Sequence, residues 1–162
     1  MKLVFLDTNI LLDLVQNREG FGNAANILEG AFKGQYSICA YTLSYANIAY
    51  VLRKESKERR YQLLSLLAET VPMLPLMPDD VNIAIANPVN DFEDMLQYQC
   101  AKANGCDVII TNNGKDYAEF CDLPFMTAAE FLNRLTDNLP LQTFKTQPTP
   151  SSPWESARCR RG

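Results

Sequence analysis

The sequence predicts an α/β domain, a three-layer sandwich whose mainly parallel central sheet is covered by helices on both faces. Three observations carry this expectation. Short apolar runs such as "LVFL", "YSICAY" and "DVIIT" have the unbroken hydrophobicity of strands buried on both sides. Segments of helical periodicity separate them, the alternation that builds parallel sheets. With 162 residues and 47% hydrophobic content, the chain can bury one core, and two full domains would be cramped.

The elements follow in order. Leu3 to Leu6 is the first strand, and Ile10, Leu11, Leu12 and Leu14 begin a helix directly after it. In "GFGNAANILEGAFKG", Ala25, Ile27, Leu28, Ala31 and Phe32 form an approximate helical stripe ending near Gly34, and "YSICAY" is the second strand. "TLSYANIAYVLRK" is a helix with Thr42 or Ser44 as its cap. The polar run "ESKERR" connects it to a helix over "YQLLSLLAE". "VPMLPL" carries Pro72 and Pro75, so it is a short strand or one near an edge. "PDDVNIAIAN" and "DFEDMLQYQCAKANG" are helices, the second stopped at Gly105. "DVIIT" and "LPFMT" supply the last strands, and "TAAEFLNRL" closes the fold with Thr127 and Glu130 spaced as a capping box. The domain therefore spans 1–135. Residues 136–162, rich in Pro, Ser, Thr and Gln, are expected to be a flexible tail, because they offer too little apolar surface to offset ordering entropy.

Composition excludes several functions. A net charge of -4, from 15 basic and 19 acidic residues, is wrong for a protein that coats nucleic acid electrostatically, although a local patch can still meet RNA. The absence of histidine removes Ser-His-Asp and Cys-His catalysis and any zinc site built on imidazole. The five cysteines, Cys39, Cys100, Cys106, Cys121 and Cys159, are odd in number and form no Cys-x-x-Cys pair, which favours reduced thiols. The N-terminal apolar run is too brief for a signal peptide, and nothing approaches a membrane span, so a cytoplasmic protein without membrane contact is expected.

Carboxylates carry the remaining chemistry. In an open parallel sheet, ligands bind beyond the carboxyl ends of strands where strand order reverses, and Asp7 stands at such an end. "DVIIT" ends in the same layer and leads through "NNGKDY" to Asp116, while "NDFEDMLQ" starts a helix carrying Asp91, Glu93 and Asp94. Asp91 and Asp94, three residues apart, share nearly one face. Each acid also fits a local role: Asp7 or Asn9 as a cap, Asp91 and Asp94 beside a helix N-terminus, and Asp116 as a cap or turn residue. Together they need more. Two carboxylates ~5 Å apart repel by about 3 kcal/mol at an effective dielectric of ~20, and oxygen ligands without His or Cys suit Mg²⁺ or Mn²⁺.

From Met1 to roughly Arg134 the chain resembles the PIN domain family, and within it the VapC-like ribonuclease toxins of toxin-antitoxin pairs. The carriers are "FLDTNILLDL", "DFEDMLQYQCAKANGCDVIITNN" and "KDY". The resemblance implies a metal-dependent endoribonuclease using Mg²⁺ or Mn²⁺, an RNA substrate, an antitoxin partner and a homodimer. It implies catalytic, metal-binding roles for Asp7, Asp94 and Asp116, with Asp91 as a further candidate. Asn9 is implied to orient Asp7, and Thr111 and Asn113 to line the site. Two positions depart from the family: Asn47 stands where a Glu is common, and Asn112 where Arg is frequent. An amide adds no negative charge, so the change at Asn47 predicts weaker metal affinity. A second reading is therefore an attenuated PIN domain that binds RNA or protein without cutting. The basic residues Arg53, Lys54, Lys57, Arg59 and Arg60 offer phosphate contacts, yet Glu55 and Glu58 interrupt them as in a solvated connection. A phosphatase is remote, because "LDTN" lacks the second acid of an Asp-x-Asp pair.

Overall fold

The computed structural model describes residues 2–137. Within them, five strands, β1 (Leu3–Leu6), β2 (Ser37–Tyr41), β3 (Met73–Leu74), β4 (Val108–Ile110) and β5 (Phe125–Met126), form one sheet in the order β3-β2-β1-β4-β5. Every pairing is parallel. The helices are α1 (Thr8–Gln16), α2 (Phe21–Phe32), α3 (Thr42–Val51), α4 (Lys57–Thr70), α5 (Pro78–Ala86), α6 (Phe92–Ala103), α7 (Gly114–Tyr117) and α8 (Ala128–Asp137), with a 3-10 turn over Leu52–Lys54 after α3.

Alternate strand residues divide between two cores. Val4, Leu6, Ile38, Ala40, Val108 and Ile110 pack against α1, α2, α4 and α8 on one face. Phe5, Cys39, Tyr41 and Ile109 pack against Ala84 of α5, Met95 and Leu96 of α6, and Tyr117 of α7 on the other. This is the expected three-layer sandwich. Burial on both faces explains why the central strands read as continuous apolar runs rather than as an alternation. The proline-flanked segment contributes only the two-residue strand β3, at the sheet edge.

Three local expectations change. Neither Thr42 nor Ser44 caps α3: the helix leaves β2 directly with Tyr41 at the cap position, Thr42 Oγ1 donates to the Leu74 carbonyl at 2.7 Å, and Ser44 is buried. The stretch "ESKERR" is not wholly a connection either. Ser56 caps α4 by accepting from the Arg59 amide at 3.2 Å, so Lys57, Arg59 and Arg60 belong to its opening turns. Thr136 and Asp137 complete α8, and the rest of the expected tail lies outside the described residues. The Thr127–Glu130 box forms as expected, with the Thr127 amide donating to Glu130 Oε2 at 2.8 Å and the Glu130 amide to Thr127 Oγ1 at 3.3 Å. Cys39, Cys100, Cys106 and Cys121 are free thiols. No helix among the described residues is long and apolar enough to cross a membrane.

Candidate active site

Strand order reverses at β1, because β2 and β3 lie to one side and β4 and β5 to the other. The carboxyl ends of β1 and β4 therefore open on the crevice where such sheets bind ligands. Asp7 follows β1 and Thr111 follows β4. Leu6 pairs with Ile110, and the Asp7 amide donates to the Ile110 carbonyl at 3.0 Å, which carries the ladder one residue further.

Asp7 is 2% exposed, and four donors surround its carboxylate. Oδ1 accepts from the Asn9 amide at 3.2 Å and from Gln97 Nε2 at 2.9 Å. Oδ2 accepts from Asn9 Nδ2 at 2.7 Å and from Thr111 Oγ1 at 2.5 Å. Asp7 is thus both the N-cap of α1 and a buried crevice acid. Burial raises its pKa above the ordinary carboxylate value, while the bonds from Thr111, Gln97 and Asn9 pull it back down.

Asp94, in the first turn of α6, is equally hidden at 3% exposure, yet it is poorly served. Its Oδ1 receives only a long contact of 3.4 Å from Gln97 Nε2, and Oδ2 has no partner. Burial first, and then the charges of Asp7, Asp91, Asp116 and Glu93, push its pKa up to about 7. Tyr117 lies in the same electrostatic neighbourhood: burial and then the charges of Asp7 and Asp94 raise its pKa well above 10, and its buried hydroxyl also lacks a partner.

The remaining predicted residues are distributed unequally. Asn9 joins the two strand ends, since its Oδ1 accepts from the Asn112 amide at 3.2 Å. Asn113 is exposed and contributes its backbone amide, which donates to Thr111 Oγ1 at 2.9 Å. Asp116 is exposed on α7 and reaches Asp94 through its charge. Asp91 caps α6, its Oδ1 accepting from the amides of Glu93 at 2.9 Å and Asp94 at 3.1 Å. Asn47 is half-buried on α3 and makes no side-chain hydrogen bond among the described residues. Asn112 Nδ2 donates to the buried Asp13 carboxylate at 2.9 Å, a role for which a neutral amide suffices.

Sequence reasoning missed the polar groups that tie the acids together. Gln97, 1% exposed, offers Nε2 to Asp7 and Asp94 while its Oε1 accepts from the Thr8 amide at 3.0 Å. It stands three residues after Asp94, hence on the same face of α6, and that spacing was the available signal. Glu93 Oε1 accepts from Thr8 Oγ1 at 3.1 Å and Tyr41 OH at 2.9 Å, and Thr8 Oγ1 also bonds Ser44 Oγ at 2.8 Å.

Among the described residues, no three Cys, Asp or Glu side chains are already gathered closely enough to wrap a cation. The chemistry of the crevice nevertheless fits one. Its donors are carboxylate, hydroxyl and amide oxygens, suited to a hard cation, and the orphaned Asp94 Oδ2 is a buried acceptor without its complement.

Residues 3–115 match the family model described as PIN domain. Ribonuclease VapC1 of Aquifex aeolicus (strain VF5) is 24% identical over 137 residues, covering 81% of this chain and 94% of that protein. Among solved structures, VapBC2 from Rickettsia felis, bound to a DNA fragment from its promoter, superposes with a TM-score of 0.60 at 16% identity, covering 77% of this chain and 98% of that one. VapC20 from Mycobacterium tuberculosis, a sarcin-ricin loop cleaving toxin, gives 0.58 at 13% identity, covering 73% and 95%. These structural likenesses concern the fold. The family match runs from β1 into α7 and takes in Asp7, Asp94, Gln97 and Thr111, so the chain belongs to the PIN domain family.

Proposed function

We propose that this chain is a divalent-cation-dependent endoribonuclease, the toxin of a toxin-antitoxin pair, acting in the cytoplasm. Nucleases of this family generally depend on a divalent metal. Here Mg²⁺ or Mn²⁺ is assigned to Asp7, Asp94 and Asp116, with Asp91 occupied as the α6 cap. The supporting observation is the buried Asp94 Oδ2, partnerless beside a second buried carboxylate in the switch-point crevice. When bound, the cation supplies acidification of water and neutralisation of phosphate charge.

The chain's own groups set the frame for that chemistry. Asn9, Thr111 and Gln97 fix the Asp7 carboxylate from three elements, so it does not reorganise as charge develops. Gln97 Nε2 lies between the two acids, bonded to Asp7 at 2.9 Å and in long contact with Asp94 at 3.4 Å. Asp116 is exposed on α7, and its charge reaches Asp94. The relatives suggest the partners: VapBC complexes pair this fold with a second protein, and we assign this chain a cognate antitoxin and a homodimeric state. Residues 1–135 are proposed to carry the nuclease.

The test is incubation of the purified full-length chain with a diverse RNA pool, with Mn²⁺, with Mg²⁺ and with excess chelator. Cleavage is expected only with cation, and it collapses in folded Asp7→Asn and Asp94→Asn variants. Undiminished cleavage in chelator overturns the cation-dependent reading. Tight RNA binding without cleavage under any condition identifies the attenuated binding module instead.

A further inference from the structure

The Glu93 carboxylate is held more deliberately than a helix-start acid requires. As a first-turn residue of α6 it needs no side-chain partner, since Asp91 already satisfies the amides there. Yet its Oε1 receives two hydroxyls from two strand ends: Tyr41 OH from the end of β2 and Thr8 Oγ1 from the start of α1. Ser44 extends this chain of hydroxyls onto α3 through Thr8. The other oxygen, Oε2, has no hydrogen-bond partner among the described residues. Consecutive helix residues point about 100° apart, so while Asp94 turns toward Asp7 and Gln97, Glu93 turns toward β2 and α3. That side of the crevice has no other acid from α3, whose sequence "TLSYANIAYV" offers only neutral groups, Ser44 and Asn47 among them.

We propose that Glu93 is the fourth carboxylate of the cation site, aimed by Tyr41 and Thr8, and that it supplies the negative charge that α3 lacks at Asn47. This inference rests on the cation-site reading above. The orphaned, buried Asp94 Oδ2 on the adjacent residue, which carries that reading, marks the same end of α6 as incomplete without an added positive charge. Tyr41 and Thr8 act as positioning residues. They fix one oxygen of Glu93 and leave the other available, an arrangement that serves a ligand better than a surface acid. Packing reinforces the aim, since Tyr41 is fully buried and touches Phe5 with ring centroids 6.4 Å apart.

The experiment is Mn²⁺ titration of the full chain by calorimetry, with melting temperatures recorded in chelator for every variant. Glu93→Gln keeps an oxygen to accept from Tyr41 and Thr8 but removes the charge. Its Mn²⁺ dissociation constant should rise about 10–100-fold, while its metal-free melting temperature stays level or rises. Tyr41→Phe leaves the carboxylate and loosens its aim, so a smaller, several-fold weakening is expected; this variant carries the test should Glu93→Gln fail to fold. Adding Asn47→Glu to Glu93→Gln returns a carboxylate from the α3 side and should recover part of the lost affinity. If Glu93→Gln binds Mn²⁺ as tightly as the parent while Asp94→Asn has lost it, the inference falls and the cation-site reading stands. Should Asp94→Asn also bind undiminished, or the parent not bind at all, the site reading itself falls.

Discussion

Replacing Gln97 with leucine removes one buried amide of similar size and breaks the joint between α6 and the end of β1. The amide orientation follows from its partners, since Oε1 meets the Thr8 N–H and Nε2 meets carboxylate oxygens. Leucine leaves the Thr8 amide unsatisfied in the interior, at about 1–3 kcal/mol. Asp7 loses one charge-assisted bond out of four donors, a further ~1.5–3 kcal/mol. Thr8 Oγ1 keeps Ser44 and Glu93, and the 3.4 Å contact to Asp94 is too long to add much. The expected loss is therefore about 2.5–6 kcal/mol, a large share of the ~5–15 kcal/mol that holds an ordinary domain folded. For a domain of this size that corresponds to a fall of roughly 10–20 °C in melting temperature. The assay is thermal unfolding followed by circular dichroism in chelator at neutral pH. Gln97→Glu is the companion: it still accepts from Thr8 but sets a third carboxylate against Asp7 and Asp94, so its metal-free stability should worsen as pH rises from about 5 to 8. A leucine variant melting within about 2 °C of the parent would refute the claim that this amide joins the two elements.

Two further outcomes follow from the same geometry. The folded chain holds a proton on Asp94 up to pH about 7, above its ordinary value of 3.8, so the contribution of this group to stability is complete below that ordinary value and disappears as pH rises through about 7. Metal-free protein should accordingly melt lower at pH 8 than at pH 5 through this group, and Mn²⁺ affinity should increase across that range as the cation displaces the proton; calorimetry showing pH-independent binding would contradict this. A chain ended after Leu139 should unfold cooperatively at the melting temperature of the full chain and bind Mn²⁺ equally well, because the Pro- and Ser-rich remainder has little apolar surface to contribute; loss of cooperative melting would place part of the core beyond that point.

What could be read from the sequence follows the physics of burial. Strands covered on both faces announce themselves as apolar runs, and the acid after "LVFL" is conspicuous because it closes such a run at the carboxyl end of a strand, where it also caps α1. Strand order was not written there, since nothing local tells β4 to lie beside β1 and opposite β2. The start of α4 was masked by charge: Ser56 is the cap, but the hydrophobic stripe that reveals a helix begins only with Leu63 and Leu67. Ser44 was misread for a related reason. A hydroxyl near a helix start is usually a cap, and only the tertiary pairing with Thr8, 36 residues away, gives it another use. Gln97 hid in the same way, flanked by the buried Leu96 and Tyr98, with partners 89 and 90 residues distant.

The groups that hold the crevice acids share a property that bears on why the crevice is built as it is. Among the described residues, every side-chain donor to the crevice carboxylates is neutral: Asn9, Thr111 and Gln97 serve Asp7, while Tyr41 and Thr8 serve Glu93. The ion pairs Lys33–Glu29 and Lys102–Asp122 lie on the surface and touch none of these acids. Neutral dipoles can stabilise one buried charge when several converge on it, as they do on Asp7. They leave the second, Asp94, short of compensation, and its proton retention is the consequence. A lysine or arginine placed in the crevice would have completed the balance and stabilised the apo fold, but it would also have occupied the position from which a positive charge must act on a phosphate. Fixing the acids with hydroxyls and amides keeps their geometry while leaving the charge balance open to a cation from solution. The expected instability of metal-free protein at high pH and its expected relief by Mn²⁺ would then be two measures of one arrangement.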